Sequence, residues 1–171
     1  MDTLDHLFLD YSVRKLGQLC ERIQDCLGRL TDEQIWTRGA ETENAVGNLV
    51  LHLSGNVRQW IVSAVGGAAD ARRRDAEFAA RGGATGAELA GHLRGTIDEA
   101  TAVLAALSLE RLSERIRVQD YDGSVLEAVY HVVEHFSGHT GQIIFATKLL
   151  TGKDLGYYRH LSAASHAEKT P

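Results

Sequence analysis

Proline is missing from the first 170 residues; the one proline is Pro171. No point in the body of the chain is therefore barred from helix by a locked φ or a missing N–H. Four segments carry apolar residues three and four apart, the period of a helix with one buried face. In residues 4–30 the stripe is Leu16, Leu19, Ile23, Leu27 and Leu30. Thr31 and Gln34 then have the spacing of a capping box and open a short helix that contains Trp36. A second long helix is expected over residues 44–64, stopped by Gly66 and Gly67. A third starts at the Thr85–Glu88 capping box, with Ala90, Leu93, Ile97, Ala100, Leu104 and Leu107 as its seam; Gly91 and Gly95 within it suggest close packing. A fourth opens at Ser124 and Glu127 and runs to Leu150, with Gly152 as its stop.

Two connections interrupt this pattern. Residues 68–83 are rich in alanine and charge, with room for one helical turn, and Arg72, Arg73 and Arg74 among Asp70, Asp75 and Glu77 read as a solvated turn. In residues 108–123 the alternation from Arg115 to Gln119 suits a short extended stretch. The tail beyond Leu161 is small and polar and is expected to fray. Four long amphipathic helices with modest connections point to an all-α fold, an antiparallel four-helix bundle. It would form a single domain over residues 1–171, with its core at about 4–152 and a C-terminal tail at 153–171.

Composition excludes several roles. With 18 Lys and Arg against 23 Asp and Glu the formal charge is −5, so no general nucleic-acid surface is expected. No apolar run is long enough to cross a bilayer, and the first residues lack the basic start and apolar stretch of a signal peptide. Cys20 and Cys26, six apart on a helix, do not share a face. A disulfide framework is not expected, which fits a reducing cytoplasm.

Histidine carries the chemistry. The chain has eight, and three fall in His131-Val-Val-Glu-His135-Phe-Ser-Gly-His139. Helical residues four apart differ by ~40° in direction and ~6 Å in height, so His135 and His139 can close on one ion from one side. They lie in the run Ala128, Val132, His135, His139, Gln142, Ala146, Leu149; the second helix has a matching stripe of Ala45, Leu49, His52, Asn56 and Ser63. Polar groups on core stripes need partners, and an ion shared by His52, His135 and His139 would supply one. His131, one turn before His135 and rotated off the seam, reads as an alternative ligand, a hydrogen-bond donor behind the ligands or facing substrate, or a partly exposed neighbour. Asn56 and Gln142 read as groups that orient ligands or face substrate. His6, His92, His160 and His166 are given no site role. Glu134 has the wrong offset for HExxH, and no Glu stands three before a core histidine, as the di-iron carboxylate bundles require.

Two motifs, Asn48-Leu-Val-Leu-His52-Leu-Ser-Gly-Asn56 with Trp60 beyond it, and His135-Phe-Ser-Gly-His139-Thr-Gly-Gln142, together resemble the DinB/YfiT-like superfamily over most of the chain. The resemblance implies an antiparallel four-helix bundle with one metal held by His52, His135 and His139, often in a homodimer. Many members have Arg where this chain has Thr140, which removes a charge that would meet substrate or partner. Several branches resemble thiol-dependent S-transferases, so a divalent ion (zinc or nickel first, iron or manganese next) and a low-molecular-weight thiol cosubstrate are expected beside a small-molecule substrate. The alternatives are a metal-dependent hydrolase and a non-catalytic metal-binding stress-response protein.

Overall fold

The computed structural model describes residues 3–159 and is mostly helical. His160, His166 and the tail beyond Leu161 lie outside the described residues. Helix α1 (Leu4–Arg29) buries Leu16, Leu19, Ile23 and Leu27 along its predicted stripe, and Leu30 just past its end is buried too. The Thr31–Gln34 box opens α2 (Asp32–Trp36). Helix α3 (Val46–Val57) continues into a π-helical segment (Arg58–Val65), and Gly67 follows it with φ +82°. The next segment, 66–85, contains the single short helix α4 (Arg74–Ala79). Thr85 and Ser124 cap α5 (Gly86–Ala105) and α6 (Val125–Thr151) through the expected boxes, and Gly152 ends α6 in the left-handed region. Between α5 and α6 the extended stretch is one arm of a hairpin, β1 (Arg115–Val118) antiparallel to β2 (Tyr121–Ser124), turned by Gln119 at φ 56°.

Side-chain contacts give the helix directions. Tyr157 and Gln34 tie the end of α6 to the end of α1, so these two helices run parallel. Gln24 bonds Ala90 and Arg94 at the start of α5, which is therefore antiparallel to α1. Trp36 lies beside Gly47 and donates to the Ala84 carbonyl at 2.9 Å, so α3 and α5 begin side by side. Their far ends also meet through the Arg58–Glu99 pair, so they too run parallel. Parallel neighbours require a return along their length. Residues 66–85 make that return over the outer face of α3, which is consequently buried almost all round. The core between the helices includes Ile23, Leu53, Ile61, Leu93, Ile97, Phe136 and Ile143. No helix among the described residues is long and apolar enough to cross a membrane.

Two expectations fail on packing. Gly91 and Gly95 are exposed with no atom near a would-be Cβ, so they allow no close approach. Close approach occurs instead at other glycines, among them Gly47, under Trp36, Gly55, under Glu77, and Gly86, under Ile35. On α6 the buried residues are Val125, Ala128, Val129, Val132, Phe136, Thr140, Ile143 and Thr147, so the predicted stripe holds at Ala128 and Val132 and the buried line turns away from it beyond them. Gln142 and Leu149 are exposed, and His135 and His139 are half-buried on the flank. The sequence pattern misleads because Thr140 and Thr147 bury their hydroxyls by donating to the Phe136 and Ile143 carbonyls, so polar residues occupy the true core line.

Gly47→Ala is expected to lower stability by about 1–3 kcal/mol, since its Cβ would meet the Trp36 ring at 2.8 Å. Gly95→Ala, in open space on a helix, is expected to raise it by about 0.5–1 kcal/mol. Urea midpoints of both variants against the parent check the pair.

Candidate metal centre

His52 on α3 faces His135 and His139 on α6. One ligand atom from each ring falls in a set whose members all lie within 4.8 Å of one another. The Nε2 atoms of His52 and His135 are 3.0 Å apart. The His52 ring meets those of His135 and His139 edge-on, with centroids 5.1 and 5.2 Å away. His52 is buried, and the α6 pair closes the cluster from its solvent side.

Hydrogen bonds at the outer ring atoms set the direction of the inner ones. His52 Nδ1 lies 3.0 Å from Glu77 Oε2. An ionised carboxylate only accepts and favours a proton on Nδ1, whereas Arg72 Nη2, 3.1 Å from the same atom, only donates; Arg72 is already satisfied by both Glu77 oxygens, so the proton is assigned to Nδ1 and, in the neutral ring, Nε2 keeps a lone pair. His139 Nδ1 lies 2.7 Å from Gln142 Oε1, again an acceptor, which leaves the His139 Nε2 lone pair free by the same reasoning. These tautomers are assigned from the hydrogen-bond network. Rings held at one nitrogen with the other turned inward are the usual arrangement around a divalent ion.

The cluster lowers its own affinity for protons. Burial, then the neighbouring His139, His52 and His131 and the Arg72 charge, depress His135 from 6.5 to about 4. Burial also lowers His139, against the opposing effect of its hydrogen bond to Gln142 Oε1, and lowers His131. Neutral imidazole is the form that binds metal.

Of the residues singled out in the sequence, His52, His135 and His139 are brought together, and Gln142 reaches the cluster as an exposed side chain that holds His139. His131 does not join the three. It is sandwiched between Trp60, at 4.4 Å, and His135, at 5.5 Å. Asn56 is buried one turn from His52, and its Oδ1 has no hydrogen-bond partner. Thr140 is buried in the core, so it is not a contact for substrate or partner. His6 and His92 are exposed, and Glu134 is exposed beside His135.

The solvated-turn reading of residues 70–77 holds for Asp70, Arg73, Arg74 and Asp75, which are exposed, and fails for Arg72 and Glu77. Arg72 and Glu77 side chains are 5% and 10% exposed and form a bidentate ion pair, with Nε donating to Oε1 at 2.8 Å and Nη2 to Oε2 at 2.9 Å. Burial pushes the Glu77 carboxyl up, but hydrogen bonds from Arg72 and His52 outweigh it and hold the group below the ordinary carboxylate value. The motif on α3 is built around this residue. Asn48 Nδ2 donates to the Glu77 carbonyl at 2.8 Å, and His52 bonds the Glu77 carboxylate. Gly55 has no Cβ where one would overlap that carboxylate. The one signal in the sequence was indirect: a histidine on a core stripe needs a partner for its second nitrogen.

The model of one family, described as "Protein of unknown function (DUF1572)", matches residues 4–165. The chain belongs to the DUF1572 family. No curated protein matches it. A crystal structure of a conserved protein from Enterococcus faecalis resembles this DUF1572 chain with a TM-score of 0.69 at 17% identity, covering 84% of this chain and 97% of that one. That likeness concerns the fold.

Glu77→Ala is expected to cost about 3–5 kcal/mol, because it leaves the Arg72 charge buried without its partner. Replacing both with methionine should recover most of the loss in urea unfolding. A second expectation concerns pH. In the unfolded chain His135 protonates near 6.5, and in the folded one only near 4. Between these values the unfolded state holds the extra proton, so metal-free stability falls as pH drops through this window and levels off below it on this account. Urea midpoints between pH 7 and 4 should decline less steeply for His135→Gln.

Proposed function

We propose that the chain is a divalent-metal-dependent enzyme of the DinB/YfiT-like kind, a four-helix bundle in which His52, His135 and His139 hold one ion, and that it acts as a low-molecular-weight-thiol-dependent S-transferase. The observation that supports this reading is the convergence of three imidazoles, two of them anchored at their outer nitrogens by Glu77 and Gln142. All-nitrogen donors suit zinc or nickel first, with iron or manganese next. A divalent ion there would supply a Lewis acid, with a position beyond the three nitrogens for a thiol whose proton it makes easier to lose.

The protein's own residues do the rest. Glu77, fixed by Arg72, holds His52 in one tautomer, and Gln142 does the same for His139. The unpartnered Asn56 Oδ1 offers an acceptor to a donor that enters beside His52. Thiol transfer is favoured over hydrolysis because no free carboxylate faces the cluster to orient and assist a water nucleophile. Glu77, the carboxylate against the cluster, is already occupied by Arg72 and His52, and Glu134 is exposed.

The same proposal includes a homodimer and a cytoplasmic setting. Tyr130, Phe145 and Leu149 leave exposed apolar surface on α6. Cys20 and Cys26 are unpaired and buried, with burial pushing the Cys20 thiol up to about 11, so neither is activated.

Metal analysis after loading should find one ion per chain, and none in His52→Ala or His135→Ala. Glu77→Gln is expected to bind about 10–100-fold more weakly. A panel of thiols with an electrophile should give product that needs both thiol and metal. Absence of stoichiometric metal in the parent protein would sink the reading. Product without thiol would turn it to the hydrolase, and no turnover with a melting temperature that falls on metal removal would turn it to a structural metal.

A further inference from the structure

Two cross-helix contacts align α3 and its π-helical continuation with α6. His52 meets His135 and His139, and two turns further along Trp60 meets His131, with Asn56 between His52 and Trp60 in the chain. Beyond the Trp60–His131 pair the hairpin flanks the groove and forms one wall of a half-open cavity of about 190 Å³. Its walls are Trp60, Ile116, Val118, Tyr121, Ala128 and the His131 ring. The Trp60 and Tyr121 rings lie 6.0 Å apart, tilted by 47°.

Two carboxylates reach this cavity, and both have partners. Asp122 binds Arg115 at 2.8 Å, and Glu127 caps α6 through the Ser124 N–H at 2.6 Å and hydroxyl at 2.8 Å. The cavity therefore offers a ligand aromatic faces and aliphatic side chains, with no unpaired charge. Its size suits one ring, since an apolar cavity of roughly 150 Å³ takes benzene. A cavity of about 330 Å³ on the Arg72 side of α3 has the charged Arg58, Asp70, Arg72, Arg73 and Glu77 on its walls; neither cavity touches the three clustered histidines, but only the one under the hairpin includes His131, whose ring stacks on His135.

We propose that the cavity under the hairpin receives an uncharged, ring-sized apolar group of the substrate, whose reacting end lies at the histidine cluster. This rests on the metal-centre reading for the reacting end, and on the cavity alone for the ring. The electrophile of the transfer is then an aromatic or alicyclic compound rather than a sugar or a polyanion. The hairpin, absent from any requirement of the metal site itself, becomes the element that selects substrate.

Two measurements test this. In metal-free protein, benzyl alcohol should shift the Trp60 indole N–H resonance and the Val118 and Gly123 amides. The Trp36 indole, bonded to the Ala84 carbonyl on the other side of the molecule, should stay unmoved. In zinc-loaded protein, acetohydroxamic acid is compared with phenyl hydroxamic acids carrying none, one, two or three methylenes. One spacer should bind about tenfold or more tighter than acetohydroxamic acid, as burial of a ring predicts. Tyr121→Ala, on the exposed hairpin, and Ile116→Ser should remove that gain and leave acetohydroxamic acid unchanged. A Trp60 resonance indifferent to benzyl alcohol, or a phenyl group that adds nothing while acetohydroxamic acid binds, overturns the cavity proposal and leaves the metal reading standing. If acetohydroxamic acid itself does not bind, the metal reading falls, and the metal-free titration decides the cavity.

Discussion

The carboxylate of Glu77 is the interaction on which the centre of this molecule depends. It is buried against α3, held by two nitrogens of Arg72, and bonded to the outer nitrogen of His52. A buried charge is tolerated when its lone pairs are filled, and here the same bonds that fill them also turn an imidazole. Three positions of one helix serve this residue in different ways: Asn48 binds its backbone, His52 its side chain, and Gly55 leaves it room. A motif that looks like a row of potential ligands is largely a seat for a residue 25 positions after His52.

Topology explains why such a residue is available. Helices α3 and α5 run parallel, so the chain has to travel back along α3 before α5 begins. That return would otherwise leave the outer face of α3 in water. Instead it brings Arg72 and Glu77 over His52, and it makes α3 a helix buried on nearly every side. The π-helical turns that follow stay buried on most sides from Gln59 to Val65, with the Trp60 ring against that of His131.

Much of the frame could be read from the residues alone. Capping boxes at Thr31, Thr85 and Ser124 and glycines at 67 and 152 mark where helices start and stop, because caps act locally and leave local signatures. The three histidines were legible for a related reason: a four-residue spacing on one helix and a lone histidine on a core stripe of another. Arg72 and Glu77 were not. Charges in an alanine-rich connection have the composition of a solvated loop, and only the path of the chain buries them. The stripe of α6 was read askew because threonines that bond their own helix behave as core residues. The second arm of the hairpin, Tyr121-Asp-Gly-Ser124, has no alternation to reveal it.

The facing nitrogens of His52 and His135 belong to residues 83 apart in the chain. A ligand gripped by both would join distant parts of the sequence, much as a cross-link does. The Arg72–Glu77–His52 half of the centre lies within one short stretch and forms with the return segment. The α6 half is contributed only when the last helix docks. Any species that needs both halves binds the completed fold and not its precursors, so its free concentration enters the folding equilibrium as a mass-action term that grows by about 1.4 kcal/mol per tenfold once the site is saturated. The abundance of folded chain and the supply of that ligand would then be a single coupled quantity.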